Sequence, residues 1–297
     1  MSSLEHIHPE FRHVTALSDS ERIHFLQEPR WIEYPAAKTV MDTLKGLLDA
    51  PSRPRMPNLL LVAEPFNGKT TIVRRFYDTF GRADSNATSS PAKPVVLAES
   101  PPRANEKELY IALLERFYVP YRTTDSTAKL RYQVVHLCRA CSVRMLVIDE
   151  FHSLLEGTPR QQREVMNAIK LLCNELALPI IGVGTRDAVR ALHTDPQHAS
   201  RFDVLTLPLW KLNADFQSLL AGFESVLPLK KASRLFEPQS ATLLHALSGG
   251  NIGDLHRLLS ECAKEAIKTG EERIDMKIIE GKRKWKRPSN GIRELPL

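Results

Sequence analysis

The sequence predicts an α/β fold: a mostly parallel sheet with helices on both faces, followed by a small helical domain. Three observations carry this. Five short apolar runs, Leu59 to Ala63, Val95 to Ala98, Met145 to Ile148, Ile180 to Val183 and Val204 to Leu207, alternate with segments of helical period. A glycine-lysine-threonine loop directly follows the first run. After Leu212 the strand-like runs stop, while helical segments continue to about Gly281.

In chain order, Ser18-Asp-Ser-Glu21 forms a capping box that opens a short helix within an N-terminal extension over residues 1–30. Trp31 to Leu48 has helical spacing and ends before the breaker-rich segment Pro51 to Pro57. The α/β domain is expected over 31–210, with helix starts at Asn105 and at Thr158-Pro159, each followed by an apolar face that covers the sheet. Residues 82–94 are polar and turn-rich and read as a mobile loop. The helical domain follows over 211–281, then a basic tail over 282–297.

Composition narrows the function classes. The 42% hydrophobic and 26% charged residues suit a globular chain, and no apolar stretch approaches the ~18–20 residues of a membrane-spanning helix. A cytoplasmic protein is expected. The four cysteines are too scattered for a disulfide scaffold, and Cys138 and Cys141 read as buried thiols on a helix rather than half of a zinc site. The net charge of +6 is misleading as a nucleic-acid signal: the tail holds Lys282, Arg283, Lys284, Lys286, Arg287 and Arg293 against Glu294 alone, so it carries five of those charges. The tail reads as disordered on its own and as engaging DNA or a partner.

The chemistry is concentrated in two motifs. Ala63-Glu64-Pro65-Phe66-Asn67-Gly68-Lys69-Thr70, with Thr71 beyond it, lies between a strand and a helix running from Thr71 to Phe80. In that setting backbone N–H groups cradle phosphates, Gly68 permits close approach, Lys69 reaches the β- and γ-phosphates, and the Thr70 hydroxyl serves Mg²⁺. Ala63 departs from the glycine that usually opens the motif and is acceptable only at negative φ. The second motif, Met145-Leu-Val-Ile-Asp149-Glu150, is an apolar strand ending in two carboxylates: Asp149 to hold the Mg²⁺ shell, Glu150 to orient the attacking water. ATP and Mg²⁺ are the expected ligands, and ATP hydrolysis the expected reaction.

With these motifs in place the chain resembles the AAA+ family, and more narrowly the TniB/TnsC-like transposition ATPases. The narrower likeness rests on Tyr34-Pro-Ala-Ala, Arg55-Met-Pro-Asn-Leu-Leu-Leu, Asn67-Gly-Lys-Thr, Pro101-Pro102, Ile148-Asp-Glu, Gly182-Val-Gly-Thr185 and Gly249-Gly-Asn-Ile-Gly253, in that order. It implies an ATP-dependent regulator that assembles as a ring or helical filament on double-stranded DNA and recruits or activates a transposase, with a target-selection factor as a further partner. It also implies that Thr185 contacts the γ-phosphate and that Arg201 serves as a finger into a neighbouring subunit, with Arg186 and Arg190 as rivals. Gly253 stands where an arginine commonly opens the lid helix, and Arg257, one turn later, is a weaker substitute. DNA backbone contacts are implied for Arg103 and Lys107 in one loop and for Arg122 and Thr123 in another. Two other readings compete: a P-loop kinase acting on a small molecule, and an AAA+ loader or signalling switch acting on protein partners.

Overall fold

The computed structural model describes residues 4–81, 92–192 and 200–290; residues 82–91 of the expected loop lie outside the described residues. Strands β1 (Asn58–Ala63), β2 (Val95–Glu99), β3 (Met145–Asp149), β4 (Ile180–Gly184) and β5 (Phe202–Leu207) form one parallel sheet in the order β2-β3-β4-β1-β5. Each grows from one of the five apolar runs. The three inner strands, β1, β3 and β4, are buried almost throughout, as strands covered on both faces must be. β5, at one edge, leaves most of its middle at least partly exposed.

Helices α1 (Asp19–Phe25) and α2 (Pro35–Asp49) precede β1, and α3 (Lys69–Phe80) follows it. Between β2 and β3 lie α4 (Glu106–Glu115) and α5 (Thr127–Ala140); α6 (Pro159–Leu176) precedes β4 and α7 (Arg186–Leu192) follows it. After β5 come α8 (Ala214–Val226), α9 (Pro238–Ser248), α10 (Ile252–Thr269) and α11 (Met276–Gly281). The starts obey local chemistry. Asn105 accepts from the N–H groups of Lys107 and Glu108, and Thr158 exchanges bonds with Gln161 ahead of Pro159. α2 begins at Pro35 rather than Trp31, because proline fixes a helical φ and has no N–H to satisfy in the first turn.

The chain forms two compact units, Ala36–Glu64 with Gly68–Leu207, and Met1–Pro35 with Pro65–Asn67 and Pro208–Leu297. In the first, the strand residues Leu60, Val62, Val96, Ala98, Leu146 and Ile148 point to one face and pack with Leu109, Leu113, Leu130, Val134, Val165 and Ile169 of α4, α5 and α6. α3 covers the opposite face through Ile72, Val73 and Phe76. Burial pushes the Cys138 thiol up to about 12, the state of an inert core cysteine, whereas Cys141 ends α5 and is half-buried. Among the described residues no cluster of His, Cys, Asp and Glu suits a metal ion, and no helix is long and apolar enough to cross a membrane.

The second unit gathers the N-terminal segment onto the late helices. The Ser18–Glu21 capping box opens α1, whose Arg22 is fully buried and donates to both Glu272 oxygens at 2.7 Å, to Asp19 at 2.8 Å and to the Pro228 carbonyl at 3.1 Å. A charge this deep is tolerable because nearly every donor is paired. The tail differs from the expected solvated extension through Ser289. Arg287 donates to the Leu247 carbonyl at 2.9 Å and to that of Ala246 at 3.0 Å, closing the C-terminal end of α9, while Ser289 binds buried Asp254 through its N–H at 3.2 Å and through its hydroxyl. Residues 291–297, with Arg293, lie outside the described residues.

Candidate functional site

β1 delivers the chain into the loop at Ala63, which is paired to Leu207 within the sheet and keeps a negative φ, so its methyl group meets the condition the sequence set. The left-handed positions fall further on, at Phe66 (φ 59°) and Gly68 (φ 83°). Gly68 caps α3, and Lys69, Thr70 and Thr71 form its first turn, with Thr70 half-buried and Thr71 exposed. Lys69 is 7% exposed, with Nζ 3.4 Å from the Glu64 carbonyl. Burial draws its pKa below the ordinary lysine value, against the opposing pull of Glu150, Asp149 and Glu64. Glu64 pairs through Oε1 with Arg186 Nε at 3.1 Å.

β3 ends at Asp149, whose Oδ1 accepts from the Glu150 N–H at 2.9 Å. Ser100, immediately after β2, ties down the same turn: its N–H donates to the Asp149 carbonyl at 2.9 Å and its hydroxyl to the Glu150 carbonyl at 2.5 Å. Glu150 sits at φ 53°, a left-handed conformation that costs a non-glycine residue roughly 1–3 kcal/mol and is held by these bonds. Its Oε2 lies 3.4 Å from Nδ1 of His152, a buried nitrogen without a hydrogen-bond partner. Thr185, directly after β4, also buries an unpartnered Oγ1. Lys69, Asp149, Glu150 and Thr185 thus stand at the C-terminal ends of the adjacent strands β1, β3 and β4, the edge of a parallel α/β sheet where ligands bind.

This arrangement fits a nucleotide with Mg²⁺. A desolvated lysine and a left-handed glycine at a helix start call for an anion. An orphaned buried hydroxyl calls for an acceptor or donor that the chain does not supply. Thr70 and Asp149 offer the oxygen ligands that a hard cation prefers.

Pro65, Phe66 and Asn67 belong to the helical unit, and the bonds there explain the glycine motif. Asn251 caps α10 and donates through Nδ2 to the Pro65 carbonyl at 2.8 Å. The Gly253 N–H donates to the Phe66 carbonyl at 3.0 Å, and Asn67 donates to the Pro208 carbonyl at 3.0 Å. A Cβ on Gly253 would collide with the Phe66 carbonyl oxygen, so the position favours glycine over the arginine that the family resemblance led one to expect. Arg257 pairs with Glu261 at 3.4 Å.

Other expected residues lie apart. Arg201 precedes β5 at the N-terminal edge of the sheet, where its carbonyl accepts from Asn58 and its Nη1 lies 3.4 Å from Asn174 Oδ1. Arg186 is on the C-terminal edge beside Glu64, and the side chain of Arg190 lies outside the described residues. Arg103 is exposed ahead of α4 and Lys107 is half-buried in its first turn, whereas Arg122 and Thr123 are exposed beyond its last. The two segments are therefore separated along the chain by most of a ten-residue helix about 15 Å long. Sequence reasoning passed over Ser100, His152 and Asn251; the first two adjoin strand ends already singled out, and the third lies inside a motif weighed only for its missing arginine.

Among solved structures, the ORC2 protein of Aeropyrum pernix in ADPNP–ADP complexes superimposes with a TM-score of 0.64 at 15% identity, over 87% of this chain and 70% of that one. Cdc6p of Pyrobaculum aerophilum gives 0.62 at 16% identity, over 87% and 68%. The Aeropyrum pernix ORC1 protein in complex with DNA gives 0.59 at 18% identity, over 88% and 68%. These likenesses show the AAA+ fold. No curated protein matches significantly. The family model described as bacterial TniB protein matches residues 22–212, more than half of the sequence, and the chain belongs to that family.

Proposed function

We propose that this protein is an ATPase that assembles on double-stranded DNA in its ATP-bound state and recruits or activates a transposase. The observation that carries the proposal is the convergence, at one edge of the sheet, of a desolvated Lys69, the Asp149–Glu150 pair and the orphaned Thr185 hydroxyl. Lys69 binds the β- and γ-phosphates with the backbone N–H groups of the Glu64–Thr70 loop. Thr70 and Asp149 would hold Mg²⁺, which supplies charge neutralisation on the phosphates when bound. Glu150 orients and polarises water, and Thr185 donates to the γ-phosphate or to that water. Arg201, at the opposite edge of the sheet from these residues, would serve the site of a second copy, which would make hydrolysis a property of the assembly.

The DNA-binding part rests on membership of the TniB family and on a fold shared with a protein solved on DNA. Arg103, Lys107, Arg122 and Thr123 carry groups able to bond phosphate oxygens, contacts that position DNA without carrying base information and suit a protein that accepts many targets. The test is a pair of variants. Lys69→Ala should lose binding of a fluorescent ATP analogue, and Glu150→Gln should retain it while hydrolysis falls at least about a hundredfold. Parent-level hydrolysis by Glu150→Gln would remove Glu150 from the reaction.

A further inference from the structure

Beside Glu150 stands a histidine that its neighbours hold in place. The 3-10 helix Phe151–Leu155 begins directly after left-handed Glu150, whose carbonyl accepts from the Ser153 N–H at 2.9 Å and from the Ser100 hydroxyl. Phe151 is fully buried against the sheet: a Cβ on Gly182 of β4 would lie 2.8 Å from its ring, and its ring centroid is 5.6 Å from that of Phe202. His152 is thereby laid against the end of β4. A Cβ on Gly184 would lie 3.3 Å from the His152 backbone nitrogen and 3.6 Å from its Nδ1. Gly184 has no positive φ to demand glycine, so its missing side chain serves to leave the histidine room.

The bonds around Glu150 leave one task undone. Ser100, Ser153 and Asp149 all bond its main chain, which fixes the turn but not the side-chain torsions. Among the described residues His152 is the one basic group at ion-pair distance from the carboxylate, with Nδ1 3.4 Å from Oε2. That nitrogen is buried and has no hydrogen-bond partner, a costly condition that a bond to the carboxylate would relieve. The Glu150 side chain is 44% exposed, and a small rotation would align the pair.

We propose that His152 is a positioning residue for ATP hydrolysis, whose Nδ1–H donates to Glu150 Oε2 and so fixes the carboxylate with Oε1 left to accept from the attacking water. The inference rests on the reading of Glu150 as the group that polarises water. Two features favour this role over a histidine that takes the proton itself. The buried nitrogen is the one beside the carboxylate, and the histidine side chain, 26% exposed, is less open to water than the glutamate.

The test uses the full chain with ATP, Mg²⁺ and duplex DNA. Asparagine carries an N–H donor as many bonds from Cα as histidine Nδ1, glutamine places its donor one bond further, and phenylalanine keeps a ring without a donor. His152→Phe and His152→Gln should lower kcat about tenfold to a hundredfold, the range of a hydrogen bond to a charged group, with KM and the affinity for a fluorescent ATP analogue within about twofold of the parent. His152→Asn should return kcat to within about threefold of the parent. If circular dichroism shows that His152→Phe does not fold, the contrast between asparagine and glutamine decides alone. Histidine ¹⁵N NMR of the nucleotide-free chain supplies a readout independent of turnover. At about pH 8.5, where an ordinary imidazole is neutral, the signals lost in His152→Asn should be those of an Nδ1–H ring, and Glu150→Ala should convert that ring to the Nε2–H form. The proposal is overturned if His152→Phe or His152→Gln folds and keeps the parent kcat, if His152→Asn is as slow as they are, or if the parent His152 ring is in the Nε2–H form. Parent-level hydrolysis by Glu150→Gln would remove the underlying reading and this inference with it, whereas a slow Glu150→Gln beside a fully active His152→Phe would remove this inference alone.

Discussion

The Glu150 backbone is held in a left-handed turn by Ser100 and Asp149, beside a buried His152 nitrogen, and under the proposed function this turn sets the position from which the carboxylate meets water. Ser100→Ala should therefore lower hydrolysis about tenfold with nucleotide affinity nearly unchanged, because the hydroxyl acts on the turn and not on the phosphates; equal loss of binding would show that Ser100 supports the whole edge instead. Thr185→Val keeps the shape and removes the orphaned hydroxyl, so binding should persist while turnover falls by one to two orders of magnitude, on the order of 2 kcal/mol. The placement of Lys69, Asp149 and Glu150 beside strand ends was legible in the sequence because each follows an uninterrupted apolar run. Asn251 and its grip on the Pro65 carbonyl were not, since nothing local in the sequence announces a bond between residues so far apart.

Among the elements, α10 is the most heavily braced. Asn251 caps it, Asp254 is buried in its first turn, and Ser289 supplies two bonds to that carboxylate. Truncation after Gly281 removes those bonds and leaves a buried carboxylate short of donors, so the midpoint of thermal unfolding should fall, with a free-energy loss of about 1–3 kcal/mol. An unchanged midpoint would show that Asp254 is satisfied without the tail. His256, on the same helix, has its pKa lowered from the ordinary 6.5 by burial, with Arg30 adding to it. Its unfolded form binds a proton first as pH falls, so stability is complete above 6.5 and declines on acidification toward the lowered folded value; His256→Gln should flatten that part of a pH–stability curve. The strands were readable because coverage on both faces imposes uninterrupted apolar runs. The tail was misread because its charge density hid Arg287 and Ser289, whose partners at Ala246, Leu247 and Asp254 lie far back in the chain.

At the scale of the whole molecule, the sheet has Lys69, Glu150 and Thr185 at one edge and Arg201 at the other, and under the proposed action of Arg201 on a second copy hydrolysis is expected to depend on concentration. Arg201→Ala mixed with Lys69→Ala should recover part of the activity each lacks alone, because mixed interfaces pair an intact finger with an intact loop. The fold class and the placement of the candidate site residues at strand ends followed from patterns within single elements, whereas copy-to-copy geometry depends on surfaces that carry no periodic signal. Lys107→Ala and Arg122→Ala should each weaken binding to every duplex by a similar factor and reduce the slope of log affinity against log salt by about 0.9 per lost contact. The central claim, assembly on DNA driven by ATP, is tested most directly by electron microscopy of the protein with long duplex DNA and a non-hydrolysable ATP analogue. Rings or helical filaments on the DNA with the analogue, and none with Lys69→Ala, are the predicted result; DNA free of oligomers in the presence of the analogue would contradict it.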